Sequence, residues 1–336
     1  MATLRWGILG TASIAQDIHR AIEDSEHDEV RAVASRSLDT AQAWAKQHGV
    51  PEAYGSYQAL LESGSVDVVY IPLPNAIHGQ WTLHALEAGL PVLCEKPLTT
   101  SLADAREIQA AAERTGLPVV EAFMYRYHPL FATVQELIAD GIIGTVRTIT
   151  SRFTFVEEDR GSIVMSETLG GGALLDVGCY CVHLSRMLAG AEPRRVAALA
   201  TAGSVDDVFM GLLEFTSGVL AQFEASIVTT ERHGAEIHGS TGTIRIPAPW
   251  LPGRAPASFV VERWGHKDEL HTVSGADTYA LEVADLSQAV RTGRAPAWPV
   301  ADGVANMAVI DALIRAARSS AAWVVLRDGE TSAPHG

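Results

Sequence analysis

The first pair of residues that could do chemistry is Glu95 and Lys96, which end a short apolar run over residues 91–94. Proline has no backbone N–H to donate to a strand ladder, so Pro97 predicts that a strand ends at this pair. In open parallel sheets, ligands bind at the carboxyl ends of the strands. Lys96 is therefore a candidate for placing a positive charge beside a ligand, the alternative being a solvated surface lysine.

A second group consists of a carboxylate, a phenol and an imidazole that follow three glycines at positions 170–172. If this segment is helical, Asp176, Tyr180 and His183 fall at i, i+4 and i+7 and share one face. Apolar residues over 174–184 predict a largely buried helix, in which three polar side chains need partners or a purpose. The alternative is a helix whose polar residues hydrogen-bond a neighbouring loop.

The elements that would position these groups begin near the start of the chain. A buried strand over residues 4–9 runs into a turn and a helix, with Gly10, Ala12 and Ala15 at the glycine positions of the dinucleotide fingerprint. Small residues there let backbone N–H groups and the helix dipole approach a pyrophosphate, although an unliganded turn would look the same. The residues predicted to bind a dinucleotide at this turn are Gly10, Thr11, Ala12 and Ile14.

The next strand, over residues 30–34, indicates which dinucleotide is bound. It ends in Ser35 and Arg36, about where the fingerprint expects an acid that binds the ribose 2′-hydroxyl. A carboxylate would repel a 2′-phosphate, whereas a hydroxyl and a guanidinium bind one through charge-assisted hydrogen bonds. NADP is therefore favoured, with NAD still possible, and the alternative for Arg36 is a solvated loop charge.

Further alternation of strands and helices predicts a doubly wound parallel sheet, a Rossmann domain over residues 1–125. The strand at 66–71 ends at Pro72, and Asn75 and His78 follow at the edge where a cofactor would lie. Asn75 can equally be a helix cap, and His78 a residue of a helix face. The residues predicted to contact the cofactor at this edge are Pro72, Asn75, His78, Glu95 and Lys96.

After residue 125 the pattern changes to strands of period two. Strands are predicted near residues 149–155, 195–201, 208–215 and 219–228. The last two of these are joined as a hairpin. Such hairpins imply an open, mainly antiparallel sheet that needs a covering layer on at least one face. The chain is thus predicted to be α/β, with a second domain of α+β type over residues 126–330.

Composition argues against several classes of function. The net charge of −15 and the lack of a Lys/Arg cluster make nucleic acid an unexpected partner. No apolar segment reaches the roughly 18 residues of a membrane span, and the first strand leaves no room for a signal peptide, so we expect a cytoplasmic protein. The three cysteines lack metal-ligand spacing, and we expect neither a disulfide nor a metal site.

Five motifs occur in one order: the fingerprint turn, Pro-Asn-x-x-His at 74–78, Glu-Lys-Pro at 95–97, Gly-Gly-Gly-Ala-Leu-x-Asp-x-Gly-x-Tyr at 170–180 and Gly-Ser-Thr-Gly-Thr-Ile at 239–244. Together they resemble the glucose-fructose oxidoreductase and inositol dehydrogenase (Gfo/Idh/MocA) family over nearly the whole chain. The resemblance implies a Rossmann domain, a second domain whose open sheet often forms the oligomer interface, and a hydride-transfer site between them. It further implies a homodimer or homotetramer.

Within the family, the segments at 5–12, 34–37, 121–129 and 175–180 look most like the NADP-dependent D-xylose and dihydrodiol dehydrogenases. Tyr180 replaces the histidine of inositol dehydrogenases, which implies a tyrosine acid–base group and argues against inositol as substrate. A free phenol titrates at about pH 10, so Tyr180 would need a cation such as Lys96 to stabilise its anion.

The expected reaction moves hydride between a sugar or diol carbon and nicotinamide, while Tyr180 takes or returns the hydroxyl proton. Asp176 would bind the reacting hydroxyl or orient Lys96, and His183 would bind a neighbouring sugar hydroxyl. Arg126, also assigned to the cofactor, and Trp298 are candidates for the cleft wall. Trp298 is as readily a packing residue.

Three other functions stay open. The family implies, with the same lysine and tyrosine, a 3-ketoreductase of a nucleotide-linked deoxysugar. A noncatalytic NADP-binding regulator could keep Gly10 and Arg36 but would have no need for Lys96 together with Tyr180. The family also includes NAD-dependent glycosidases, in which the cofactor stays bound without net reduction.

Overall fold

The computed structural model describes residues 3–319 and 322–326, which form two compact units. The first comprises the described residues up to Met124 together with Tyr279–Val304. The second comprises Tyr125–Thr278 and the described residues from Ala305 onward. The sequence assigned 279–304 to the second domain, whereas the chain returns this segment to the first unit. Of the predicted domains, residues 1–2, 320–321 and 327–330 lie outside the described residues.

The first unit begins with alternating strands and helices. In chain order these are β1 (Leu4–Leu9), α1 (Ala15–Glu23), β2 (Asp28–Ala34), α2 (Leu38–His48), β3 (Glu52–Tyr54), α3 (Tyr57–Leu61), β4 (Val68–Ile71), α4 (His78–Glu87), β5 (Val92–Glu95), α5 (Leu102–Thr115) and β6 (Val119–Ala122). All neighbouring strands are parallel in a six-stranded sheet of order β3–β2–β1–β4–β5–β6. The predicted doubly wound parallel sheet is confirmed.

Burial explains why these segments form this sheet. Trp6 and Ile8 of β1 are fully buried, and Ile18 and Ile22 of α1 pack into the same core. Because helices cover both faces of a parallel sheet, its central strands need apolar side chains at successive positions. Burying each large apolar side chain stabilises the fold by about 1.5–3 kcal/mol.

After Tyr125 the chain builds a second sheet, and the chain then returns to the first unit over residues 279–304. The elements are α6 (Pro129–Ala139), β7 (Val146–Val156), a π-helical turn (Leu174–Gly178), α7 (Cys179–Ala189), β8 (Pro193–Ala200), β9 (Val208–Phe215), β10 (Leu220–Ser226), β11 (Val228–Gly239), β12 (Gly242–Ile246), β13 (Ala257–Arg263), β14 (Glu269–Val273), α8 (Thr278–Thr292), α9 (Val300–Arg318) and β15 (Val324–Val325). The nine strands follow the order β14–β13–β12–β11–β7–β10–β9–β8–β15. All neighbours are antiparallel except β7 and β10, so the predicted mainly antiparallel sheet is confirmed.

One face of the nine-stranded sheet is covered and the other is exposed. Phe209 and Phe223 are buried on the face that α7 and the π turn cover. Met210, Leu212 and Leu220 are exposed, although they belong to the same two strands. Successive side chains of a strand point to opposite faces, so this sheet presents an apolar surface opposite its helical layer.

A buried carboxylate ties α8 to the parallel sheet of the first unit. Asp28 accepts hydrogen bonds from Ser287 Oγ at 2.9 Å, Arg291 Nη2 at 2.6 Å and Trp6 Nε1 at 3.3 Å. Its side chain is 2% exposed, and Leu286 of α8 joins the core of this unit. These contacts explain why the chain returns to the first unit.

Candidate active site

The turn after β1 is shaped by a residue without a side chain. Gly10 adopts φ +121°, and a Cβ on it would lie 3.0 Å from Leu73 Cδ2 and 3.3 Å from the Pro72 carbonyl oxygen. Its N–H donates to Ala34 O at 2.9 Å. L-residues with a side chain rarely adopt this φ, so the conformation requires glycine here, and a Cβ would also need its neighbours to shift.

The amides that follow Gly10 form an open set of donors. Among the described residues, no backbone carbonyl accepts a hydrogen bond from the N–H groups of Thr11, Ala12, Ser13 or Ile14. The first N–H groups of a helix have no intrahelical acceptor, and the helix dipole adds a positive potential. The turn therefore fits the pyrophosphate of a dinucleotide, the group that the sequence predicts at this place.

The residues after β2 fit a further phosphate. Ser35 N donates to Tyr54 O at 3.1 Å, which fixes the backbone where β2 ends. Arg36 is exposed and forms no salt bridge within the part of the chain that the structure describes. Its guanidinium can therefore bind a 2′-phosphate without first losing an internal partner. This fit agrees with the predicted preference for NADP, and the contact itself stays a prediction.

Lys96 follows β5 at the same edge of the sheet, as predicted. Glu95 accepts a hydrogen bond from Tyr70 Oη at 2.6 Å and one from the Lys96 backbone N–H at 3.3 Å. Two residues further on, Leu98 N donates to Glu121 Oε1 at 2.7 Å. Burial, and secondarily the charge of Glu95, raise the pKa of Tyr70, so its hydroxyl stays protonated and donates to Glu95. Two carboxylates from neighbouring strands thus fix the backbone on both sides of Lys96.

His78 joins two loops at this edge. Its Nδ1 lies 2.8 Å from Pro97 O, and its Nε2 lies 2.7 Å from Leu73 O. The side chain is fully buried, and this burial lowers the pKa of the imidazole. Both ring nitrogens face carbonyl oxygens, and a neutral imidazole donates to one of the two. This arrangement points to a role in holding the loops after β4 and β5. Asn75 opens a 3₁₀ turn, Asn75–Ile77, ahead of α4.

The predicted helix of the second unit is present, with a wider first turn. Asp176 lies in the π turn, where Cys179 N donates to Leu174 O five residues earlier. Tyr180 and His183 lie in α7 and are 7% and 1% exposed. The sequence predicted an α-helix in which Asp176 and Tyr180 are related as i and i+4. In the structure Asp176 belongs to the π turn, so that part of the prediction is wrong. Such π turns occur frequently at functional sites.

Aromatic rings surround the Tyr180 ring within the second unit. Ring centroids lie 5.4 Å away for Phe153, 5.7 Å for Tyr125 and 5.9 Å for Trp250. Trp250 is fully buried and donates from Nε1 to Arg152 O at 2.9 Å, which fixes its orientation. We call Tyr125, Phe153, Tyr180 and Trp250 the aromatic cluster. It holds the phenol in an apolar setting, where its anion would need a cation nearby.

His183 is held by two neighbours rather than pointing outward. Its Nδ1 lies 2.5 Å from the Tyr125 hydroxyl, and its Nε2 lies 3.2 Å from Arg126 Nη1. A guanidinium can only donate, so Nε2 accepts and the ring proton lies on Nδ1, which donates to the Tyr125 oxygen. Both nitrogens are thus engaged, and binding a sugar hydroxyl through His183 would break one of these contacts.

The residues predicted to form the site are divided between the two units. Gly10, Arg36, Asn75 and Lys96 belong to the first unit, as does the half-buried Trp298. The second unit holds Arg126, Asp176, Tyr180 and His183. The supporting roles of Tyr70, Glu121, Tyr125, Phe153 and Trp250 were not predicted from the sequence. The alternation along β7 could have placed Phe153 on a buried face, but no local pattern points to Trp250.

Other kinds of site find little support in the described residues. No group of three or more His, Cys, Asp or Glu side chains in those residues could hold a metal ion. The three cysteines are buried, and burial raises the pKa of Cys94 and that of Cys181, the latter to about 12, so neither forms a reactive thiolate. Across the same residues, no helix combines the length and apolar character needed to cross a bilayer.

Comparison with known families matches two parts of the chain. Residues 4–123 match a family described as an oxidoreductase family with an NAD-binding Rossmann fold. Residues 131–245 match a GFO/IDH/MocA C-terminal domain. The two matches follow the order in which the sequence predicts the two kinds of domain.

Named relatives span most of the chain. A D-xylose 1-dehydrogenase (NADP(+)) of Haloferax volcanii is 37% identical over 95% of this chain and 99% of its own. A trans-1,2-dihydrobenzene-1,2-diol dehydrogenase of Mus musculus is 35% identical over 74% of this chain and 76% of its own. The crystal structure of a 3-ketoreductase from Actinomadura kijaniata, in complex with NADP and TDP-benzene, is 32% identical, with a TM-score of 0.89 over 94% of this chain and 98% of that one.

Proposed function

The chain belongs to the Gfo/Idh/MocA oxidoreductase family, and from this premise we propose that it is an NADP-dependent oxidoreductase that acts on a sugar or diol hydroxyl. One observation carries the proposal: a single edge of the parallel sheet presents Lys96 together with the amides after Gly10, which donate to no carbonyl of residues 3–319 or 322–326. Donors for a dinucleotide and a charged residue suited to catalysis thus occur on one rigid element.

The cofactor would be held by residues already placed at that edge. The amides of Thr11, Ala12 and Ile14 would bind the pyrophosphate, and Ser35 and Arg36 would bind the 2′-phosphate. When bound there, NADP supplies the nicotinamide that accepts or returns a hydride. Pro72, Asn75, Glu95 and Arg126 stay assigned to cofactor contacts as part of this proposal.

Proton transfer falls to the phenol on α7. Tyr180 would accept the proton of the substrate hydroxyl during oxidation and return it during reduction. A phenol with an ordinary pKa of about 10 is a poor base at neutral pH, so the proposal assigns Lys96 to stabilise its anion. Asp176 would bind the reacting hydroxyl. The contacts of His183 suit a residue that positions Tyr125 and Arg126, and the predicted contact with a sugar hydroxyl would replace one of them.

The substrate class is tested by a cofactor-coupled assay. Reduction of NADP and of NAD would be followed with a panel of aldoses, D-xylose among them, and with trans-diols. Oxidation of NADPH would be followed with free and dTDP-linked ketosugars. We expect turnover with aldoses or diols and NADP. Binding of NADP without turnover on any member would contradict the proposal and favour a regulator, and a cofactor that stays bound without net reduction would favour a glycosidase.

A second candidate is a reductase of a nucleotide-linked ketosugar. It is supported by the likeness of 94% of the chain to the 3-ketoreductase from Actinomadura kijaniata. A diphosphate on the substrate would need cations besides those that hold the cofactor. Turnover with the dTDP-linked ketosugar at least about 100-fold more efficient than with D-xylose would select this candidate.

The exposed face of the nine-stranded sheet supports an oligomer. Leu199 is 76% exposed and Met210 is 54% exposed, and Leu212 and Leu220 extend the same apolar surface. Contiguous exposed apolar surface of this kind is typical of protein interfaces. We therefore propose a homodimer or homotetramer formed through this face, located in the cytoplasm, where reduced cysteines are the norm. Light scattering of Met210→Glu, expected to yield monomers, tests the interface.

A further inference from the structure

A carboxylate from a distant loop meets the start of the helical segment that carries Asp176 and Tyr180. Asp206 lies in the connection between β8 and β9. Its backbone carbonyl accepts a hydrogen bond from Ala173 N at 2.7 Å, and its Oδ2 accepts one from Leu174 N, also at 2.7 Å. One residue therefore satisfies two successive amides at the entry to the π turn, with both its backbone and its side chain.

The approach of Asp206 requires a glycine on the other side. Gly172 has φ +114°, and a Cβ on it would lie 2.2 Å from Asp206 Oδ1. Atoms cannot approach so closely, so a side chain at position 172 would displace the carboxylate or the turn. Gly171 is equally confined, because its Cβ would lie 2.4 Å from Val164 O. The contacts with Asp206 and Val164 explain why glycines stand at positions 171 and 172, which the proton-transfer chemistry itself does not use.

The start of this helical segment needs such an anchor. The first N–H groups of a helix lack intrahelical acceptors, and a π turn is a rare conformation that tertiary contacts must maintain. Asp176 N donates to Gly172 O at 3.0 Å, so the position of Gly172 in turn fixes that of Asp176. Tyr180 follows in the first turn of α7. A shift at Leu174 would therefore move both candidate site residues.

We infer that Asp206 is a positioning residue, which sets where the π turn begins and thereby where Asp176 and Tyr180 lie. The inference rests on the proposed function, because only that proposal gives Tyr180 a proton to transfer. Asp206 contacts the backbone of the segment and need not touch substrate or cofactor. Its removal should therefore affect turnover far more than it affects cofactor binding.

The electrostatic surroundings of Asp206 are mixed. Burial raises the pKa of Asp206 and the hydrogen bond from Leu174 N lowers it; among the neighbouring charges, Asp207 raises it and Arg318 of α9 lowers it. The bond from Leu174 N needs an acceptor oxygen rather than a full charge. Asparagine supplies that oxygen and alanine does not, so the two substitutions separate the hydrogen bond from the carboxylate charge.

The test compares Asp206→Ala, Asp206→Asn and the matched control Asp207→Asn. For Asp206→Ala we expect kcat to fall about 10- to 100-fold, since small misplacements of catalytic groups cost this much, while the Kd of NADPH changes by less than about twofold. Asp206→Asn should recover kcat to within about threefold of the wild type. The kcat of the control Asp207→Asn should equal that of the wild type. Asp206→Ala with wild-type kcat, or no recovery with asparagine, would overturn the inference.

A second readout keeps this inference separate from the proposed function. Amide hydrogen exchange over residues 172–183 should be about 10-fold faster in Asp206→Ala than in the wild type, and unchanged in β9 and β10. Gly172→Ala, which disturbs the same contact from the other side, should show the same local change. If the wild type turns over no substrate of the panel, the proposed function fails. The hydrogen-exchange measurement alone then decides whether Asp206 positions the π turn. Acceleration spread evenly over the second unit would contradict a positioning role.

Discussion

The two units hold their candidate residues by different means. At the edge of the parallel sheet, the binding groups are backbone amides in a turn where a Cβ on Gly10 would have strained φ and close neighbours. In the second unit the groups are side chains, and Tyr180 and His183 are held by rings and polar atoms of residues from other elements. The first arrangement should be sensitive to added atoms, and the second to removed ones.

This difference also separates two energetic roles. The parallel-sheet edge would supply affinity for a cofactor, since its amides and Arg36 suit phosphate oxygens. The helical segment of the second unit would supply rate, because a phenol in an apolar cluster affects proton transfer more than binding. Apart from Lys96, which the proposal assigns to proton transfer, substitutions at the sheet edge should therefore change the Kd of the cofactor, and substitutions in the helical segment should change kcat.

The largest effect is expected from removing the phenolic hydroxyl. Tyr180→Phe keeps the ring in the aromatic cluster but removes the group that exchanges a proton, so kcat should fall about 100- to 10,000-fold. The Kd of NADPH, measured by fluorescence quenching, should stay within about twofold of the wild type. Tyr127→Phe serves as control. Equal losses in kcat and cofactor affinity would show that the two regions are not distinct.

At the turn after β1, a substitution is expected to weaken cofactor binding rather than to lower kcat. Gly10→Ala adds a Cβ at φ +121° and within 3.0 Å of Leu73, so the turn must shift and the Kd of NADPH should rise about 30- to 100-fold. Gly116→Ala is the matched control, because Gly116 also has positive φ but nothing within 4 Å of its Cβ. A rise caused by Gly116→Ala as large as that caused by Gly10→Ala would mean that backbone strain alone is responsible.

A smaller and more selective effect is expected at Arg36. Arg36→Ala removes the guanidinium assigned to the 2′-phosphate, so affinity for NADP should fall about 10-fold. Affinity for NAD, which lacks that phosphate, should change by less than about twofold in the same titrations. Arg114→Ala, on the exposed end of α5, should affect neither. Equal losses for both cofactors would place Arg36 elsewhere in the site.

The smallest effect concerns stability in the second unit. Partial burial raises the pKa of Asp206 from 3.8 to about 6, so the folded chain holds this proton more tightly than the unfolded chain does. The resulting stabilisation is complete below about pH 4 and is lost as the pH rises to about 6. The Tm of the wild type minus that of Asp206→Asn should therefore decrease over this range and level off above it. A difference that is independent of pH would contradict the burial of this carboxyl.

Prediction from sequence succeeded where the determinants are local. The parallel sheet follows from apolar runs of strand length separated by helical periodicity, and the position of Lys96 follows from the proline that ends β5. The hairpin of β9 and β10 follows from period-two alternation on both sides of a Ser-Gly turn. Each of these patterns lies within a few tens of residues, where sequence periodicity is informative.

Sequence reasoning failed where distant residues decide. The return of α8 depends on Asp28 meeting Ser287 and Arg291, a contact that no pattern around either site indicates. The π turn depends on Asp206, which lies 32 positions after Leu174. Trp250 reaches the aromatic cluster from a segment without regular structure. Such contacts are set by tertiary packing, which local propensity does not contain.

If Lys96 stabilises the phenolate of Tyr180 as proposed, the effects of the two residues on kcat are coupled, and a double-mutant cycle measures that coupling. Tyr180→Phe and Lys96→Met should each lower kcat at least about 100-fold, and the double variant should fall no more than about threefold below the worse single variant. Lys46→Met, an exposed lysine of α2, is the control for charge removal. Effects of the two single variants that simply multiply would contradict the claim.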